Sequence, residues 1–249
     1  MARAHGWRAR IGFVLPANNN VLEPELYAVA PAGVAFHTSR LLLGRTLLTA
    51  ETLEAMERQT SRALAELAEA AVDAAVYACL STSLVKGRDW DEAFAAGGGE
   101  AGLPRASVAA AVVAALRYLG AQRVAVASPY PPAVAALVAP YLATWDLDVL
   151  DQEHLPTADV RAVGALPVAA AYRLGRTVGR RAKEPDALAI LATDFATLPV
   201  LQALENDLGY PVVSANQAAL WWGLRAAGLR TPLPSLGRLL AQPDGQARC

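Results

Sequence analysis

The sequence predicts an α/β protein of two flavodoxin-like lobes, each a parallel sheet covered by helices. A pseudo-twofold relation between the lobes would put the active site in the cleft between them. Three observations predict this. Short apolar runs alternate with segments of helical period. The runs are apolar at consecutive positions, as in strands buried on both faces. The pattern then starts again near Gly120, so the chain reads as two similar rounds.

In the first round, Arg10–Leu15 is a strand stopped by Pro16, and Val34–Thr38 is a second. Thr49–Val72 reads as one helix. Leu53, Met56, Thr60, Leu64, Leu67 and Ala71 share a face, and Thr49 with Thr52 and Glu51 forms the N-terminal cap. Ala74–Ala78 is a buried-type strand that ends at Cys79. The Ala-Ala-Gly-Gly-Gly run within Asp89–Gly102 reads as a loop, and Ser107–Leu119 as a helix stopped by Gly120.

In the second round, Arg123–Ala127 is a strand, Pro132–Thr144 a helix and Leu147–Leu150 a strand. Val168–Lys183 is a helix and Ala187–Leu191 a strand. The helix Leu198–Leu208 is closed by Gly209, Pro211–Ser214 is a strand, and the helix Asn216–Ala227 is closed by Gly228. The expected lobes are residues 1–119 plus a returning C-terminal helix and tail at 215–249, and residues 120–214.

The composition narrows the function. Of 249 residues, 54 % are hydrophobic and 18 % charged, which excludes a disordered chain and allows a core without staples. The net charge of −1 supplies no basic field for nucleic acid. No apolar run is long enough to span a membrane, and the basic start leads into a strand, not a signal peptide. The cytoplasm is the expected compartment. The two cysteines, Cys79 and Cys249, exclude a disulfide framework. No metal-ligand spacing or phosphate loop is present, so neither metal nor cofactor is expected. His37 on a strand and His154 in a loop have no partner spacing.

Ligands of open α/β sheets bind beyond the carboxyl ends of strands. Here those ends carry Asn18-Asn19-Asn20, Cys79-Leu80-Ser81-Thr82-Ser83, Ser128-Pro129-Tyr130 and Ala192-Thr193-Asp194. Cys79 is either a small buried hydrophobe or a reactive thiol whose pKa is lowered by a nest of N–H groups from Leu80, Ser81 and Thr82. The asparagines suit a turn, and their amides suit a carboxylate. Tyr130 offers a hydroxyl to an anion. Asp194 either caps the turn before Leu198 or acts as an acid/base.

These residues resemble the maleate isomerase and arylmalonate decarboxylase family of the aspartate/glutamate racemase superfamily. The resemblance rests on residues 10–25, on 77–87, on Ala127-Ser-Pro-Tyr130, and on Thr197-Leu-Pro-Val200 with residues 209–217. It covers the chain up to about Gly228. It implies two lobes closing on a small carboxylate without cofactor or metal. It further implies Cys79 as nucleophile, with Asn19, Ser81 and Tyr130 in substrate binding; Leu80 and Thr193, at the same strand ends, are further substrate-binding candidates. The family carries a second thiol on the facing lobe, and this chain has Ala192 there. The family's second-lobe Asn is also absent, with Leu155-Pro-Thr-Ala158 in that region. The implied activity is cofactor-independent cis–trans isomerisation of a small dicarboxylic acid such as maleate. An arylmalonate-type decarboxylase, a racemase, an ectoine-utilisation relative and a catalytically weakened carboxylate-binding protein stay open, as does a homo-oligomeric state. A thiol restored at 192 would add activity unless Asp194 already supplies the second group.

Overall fold

The structure, a computed structural model, describes residues 3–44, 49–97, 102–155, 157 and 159–241. Cys249 lies outside them, as do Gly98, Gly99, Pro156 and Ala158. Strands β1 (Ala9–Pro16), β2 (Val34–Leu41), β3 (Ala74–Tyr77) and β4 (Arg105–Ser107) form one sheet, in the order β2-β1-β3-β4. Strands β5 (Arg123–Ser128), β6 (Asp148–His154), β7 (Ala187–Ile190) and β8 (Val212–Ser214) form the other, in the order β6-β5-β7-β8. Every pairing is parallel. The same order twice over is the two-round pattern of the sequence. One further backbone bond carries each central pair beyond its ladder. Ala78 N–H donates to Val14 at 2.7 Å, and Leu191 N–H donates to Ala127 at 2.9 Å. The residues that follow, Cys79 and Ala192, thus leave their sheets at matching places.

Helices depart from the sequence reading in several places. The helix expected over 49–72 is two, Ala50–Glu57 and Thr60–Glu69. The Thr49–Thr52 capping box opens the first, as expected. Between them the Gln59 amide pairs with both backbone groups of Leu42 beside β2, at 3.0 and 2.9 Å, a tertiary pull that local period does not encode. Ala71, expected on the apolar face, is exposed in a left-handed turn at φ 51°. The helix expected over 132–144 also breaks, into Pro132–Ala135 and Val138–Ala143. Pro140 has no N–H for the carbonyl of Ala136. Residues 88–96 are a helix where a loop was expected. The glycines at its end hid an apolar face on which Trp90 and Phe94 pack with Tyr77. His154 closes β6 and is not in a loop. Sequence reasoning also missed the helices Leu22–Ala28 and Leu80–Lys86 and strand β4.

One continuous apolar core joins Ile11, Phe13 and Val76 of the first sheet to Val124, Val126 and Leu188 of the second. The helix Ala215–Ala226 lies in it and carries the chain back from β8 to the first lobe, against the helix Val108–Tyr118 and β3. Gly223 makes this approach possible. A Cβ there would sit 2.7 Å from Ile11 Cγ2.

Polar ties also cross between the lobes. Glu25, buried on the helix after β1, accepts from the N–H groups of Thr197 (2.7 Å) and Leu198 (2.9 Å) and from Asn216 Nδ2 (2.6 Å). It therefore caps the short turn Leu198–Val200 from the other lobe. Asp91 takes Ser83 Oγ and the Tyr141 hydroxyl, each at 2.6 Å. Glu25→Ala is expected to orphan three buried donors, at about 1–3 kcal/mol each. For a chain of this length each kcal/mol lowers Tm by about 2–4 °C. A thermal melt that moves by less than a degree would contradict this.

Candidate active site

Five strand ends converge on one cavity of about 530 Å³, including its mouth. Pro16 ends β1, and Asn18 and Asn19 follow it; Cys79, Leu80 and Ser81 follow β3; Pro129, Tyr130 and Pro131 follow β5. Thr157 follows β6, and Thr193 and Asp194 follow β7. Leu43, Met56 and Val163 add apolar wall.

Cys79 is the N-cap of the helix Leu80–Lys86, on extended backbone. Its thiol is buried. The Thr82 hydroxyl and the N–H groups of Thr82 and Ser81 reach it and favour the thiolate. Burial nonetheless pushes the thiol's pKa up, and the charge of Asp194 adds to the rise. The expected lowered pKa is therefore corrected: the nest exists, but burial outweighs it. Leu80 lines the wall and is not among the donors to the thiol. A thiol held protonated in this way needs a base beside it.

Asn19 and Thr193 form the floor. Asn19 Oδ1 accepts from the N–H groups of Val21 (3.1 Å) and Leu22 (3.0 Å), which opens the helix Leu22–Ala28. Its Nδ2 donates to Thr193 Oγ1 at 3.0 Å, and that hydroxyl donates to the Ala78 carbonyl at 2.8 Å. A single chain of bonds thus crosses the lobes next to Cys79. The Asn19 oxygen serves the turn, one of the two expected roles, and its Nδ2 carries a second hydrogen besides the one given to Thr193. Arg40 holds this turn from below, donating to the carbonyls of Asn19 (2.7 Å) and Ala17 (3.2 Å).

Tyr130 is buried, and burial holds its hydroxyl well above the usual tyrosine range, helped by the charges of Asp194 and Cys79. It stays a donor at any ordinary pH. Ser81 acts on it in the opposite sense, so the two hydroxyls lie together. We expect Tyr130→Phe and Asn19→Ala each to weaken binding of a carboxylate ligand about tenfold, the worth of a charge-assisted hydrogen bond. Calorimetric titration reads this, and unchanged affinity in both variants would remove these residues from the site.

Asp194 lines the cavity and caps nothing. The turn at Leu198 is served by Glu25, so the capping reading is corrected. Burial pushes the Asp194 carboxyl up to about 7, where a group exchanges protons readily at neutral pH. Ala192 is buried and is not part of the cavity wall. Its backbone is held at φ 96°, a region that non-glycine residues rarely adopt. The second lobe therefore presents Thr193 and Asp194 to the cavity, and not the side chain at 192.

Five contributors escaped the sequence reading. Leu43, Met56 and Val163 looked like ordinary core. Glu25 acts on a turn 172 residues away, and nothing local marks it. Thr157 supplies a hydroxyl in the stretch expected to lack the family's asparagine. At the mouth, Asn20 lies against Gly164, where a Cβ would meet its Oδ1 at 2.2 Å.

A thiol and a carboxyl that share a donor-lined cavity between two parallel-sheet lobes define a two-lobed α/β enzyme of the cysteine type. Known proteins agree. A family model described as arylmalonate decarboxylase matches residues 11–240, and the chain belongs to that family. The maleate isomerase of Nocardia farcinica is 35 % identical over 94 % of this chain and 96 % of its own length. The arylmalonate decarboxylase of Bordetella bronchiseptica is 32 % identical over 67 % of this chain and 71 % of its own. A solved structure of a Nocardia farcinica maleate cis-trans isomerase mutant, with a covalently bound succinylcysteine intermediate, superposes with a TM-score of 0.83. It is 34 % identical and covers 95 % of this chain and 99 % of that one.

Proposed function

We propose that this chain is a cysteine-dependent cis–trans isomerase of a small unsaturated acid of the maleate type. The observation that carries the reading is Cys79, buried at the cavity wall, with donors at its sulfur and one carboxyl, Asp194, whose charge it feels. Asp194 takes the thiol proton. The thiolate then adds to one alkene carbon, forming a C–S bond, and the π electrons move into the adjacent carboxylate as an enediolate. Ser81, Tyr130 and the remaining Asn19 N–H hold that charge. The former double bond is now single and rotates. The electrons return, the C–S bond breaks, and the trans acid leaves. The succinylcysteine found in the Nocardia relative supports an adduct of this kind. Asp194 then fills the role of the second thiol.

The same reading divides the chain into lobes 1–119 plus 215–249 and 120–214. It makes the substrate a small carboxylate, requires no resident metal or cofactor, and sets the enzyme in the cytoplasm. Among the described residues no helix is long and apolar enough to cross a membrane.

The apolar wall of Leu43, Met56 and Val163 favours a second reading, decarboxylation of a malonate-type acid. There such a wall strips water from one carboxylate and Cys79 protonates the enediolate. Proton NMR in heavy water separates the two. We expect maleate or a close analogue to give its trans isomer. Carbon dioxide loss from phenylmalonate with no isomerisation would overturn the first reading in favour of the second.

A further inference from the structure

Tyr77 carries a buried hydroxyl that the reaction above leaves without a role. It closes β3, two residues before Cys79, and alternation along a strand puts the two side chains on one face. Both belong to the apolar cluster that includes Met56, Ala63 and Leu67. Trp90 and Phe94 hold the Tyr77 ring edge-on, with centroids at 5.2 and 5.7 Å. Its hydroxyl lies 3.2 Å from Thr82 Oγ1, a contact in which either oxygen can donate. Thr82 stands in the first turn of the helix that Cys79 opens, and its hydroxyl reaches the sulfur. Tyr77 and Thr82 are fully buried, and neither lines the cavity.

Counting hydrogens gives this line a direction. Thr82 has one hydroxyl hydrogen. Once Asp194 has taken the thiol proton, that hydrogen goes to the thiolate, the charged acceptor. Thr82 is then left to accept from Tyr77. Burial holds the Tyr77 hydroxyl well above the usual tyrosine range, so it always has a hydrogen to give. Thr60 Oγ1, otherwise unpartnered among the described residues, is placed to donate to Tyr77 in turn. In apolar surroundings such bonds polarise one another. Only hydroxyl hydrogens turn, and no proton leaves Thr82 or Tyr77.

We propose that Tyr77 is a positioning residue of the nucleophile: it donates to Thr82, which turns its one hydrogen to the Cys79 sulfur and holds the thiolate from behind the cavity wall. The inference rests on the reading of Cys79 as nucleophile. The charged and titratable groups facing this line are Asp194 after β7 and Tyr130 after β5, at the sulfur, and Glu57 at Tyr77.

The test is the pH profile of Cys79 alkylation by iodoacetamide, followed by mass spectrometry in Cys249→Ser protein, where Cys79 is the one thiol left. Thr82→Val is expected to raise the midpoint by about one pH unit, a tenfold loss of thiolate below it, the worth of a hydrogen bond to a charged group. Thr82→Ser should restore the midpoint. Tyr77→Phe should raise it by roughly a third as much, and should add nothing to Thr82→Val, because Tyr77 acts through Thr82. Circular dichroism checks the fold, and Thr82→Ala stands in if Thr82→Val does not fold. An unmoved midpoint in Thr82→Val or in Tyr77→Phe overturns the proposal. So does a Thr82→Ser protein that shifts as far as Thr82→Val, or a Tyr77→Phe shift that persists beside Thr82→Val. The profile is read without substrate. The isomerase reading therefore fails separately, if the unaltered enzyme gives the expected profile and leaves maleate unchanged.

Discussion

Cys79→Ser is expected to abolish turnover, a loss on the order of 10³-fold or more, while Cys249→Ser keeps full activity. A serine hydroxyl keeps the shape of the wall but is a far weaker nucleophile, and no neighbour in the cavity is strong enough to ionise it. The protein should remain folded, because the space filled by sulfur barely changes. Progress curves on a common substrate, with circular dichroism as the control for folding, decide it. Full activity in Cys79→Ser would end the nucleophile assignment, and equal loss in both variants would point to a global effect.

Asp194→Asn is expected to cost about 10²–10⁴-fold in rate, the usual contribution of a placed acid/base, whereas Ala192→Cys changes little because residue 192 is off the cavity wall. Activity of the unaltered enzyme should rise with pH through about 7 as Asp194 gives up its proton, and the variant should lose that limb. Stability moves the other way. The folded carboxyl binds its proton up to about pH 7, against 3.8 ordinarily. The native state therefore holds more protons across that window, and stability falls as pH rises through it. Asp194→Asn removes this cost, by roughly 2–4 kcal/mol once pH exceeds the window, and none of it well below pH 4. Melting curves at both ends check the sign. A variant that keeps its rate, beside a newly active Ala192→Cys, would return the second catalytic position to 192.

What the sequence makes legible follows the range of the forces involved. Buried parallel strands announce themselves through apolar runs, so all but β4 were readable, and β4 is only three residues long. Caps are local, and Thr49 was recognised as one. The break at Gln59 is not local, since it depends on Leu42, 17 residues away. The site divides in the same way. Cys79, Asn19, Tyr130 and Asp194 sit at strand ends, where topology alone brings them together. The donors to the thiol can be read from Ser81 and Thr82, but the depth of burial that raises its pKa cannot. Glu25 stayed invisible for the same reason as Gln59: its partners are made by the fold.

The returning helix 215–226 has a consequence for how the molecule comes apart. Tandem domains on a tether melt and evolve as separate pieces. Here one lobe is completed by chain that has already passed through the other, and Gly223 seats that chain directly on Ile11. A nascent first lobe therefore has nothing to cover Ile11 until the second has been made. Folding becomes a shared event that begins at one end of the chain and is closed from the other. Any damage that loosens this helix is then felt at once in the strand that leads into the Asn19 turn.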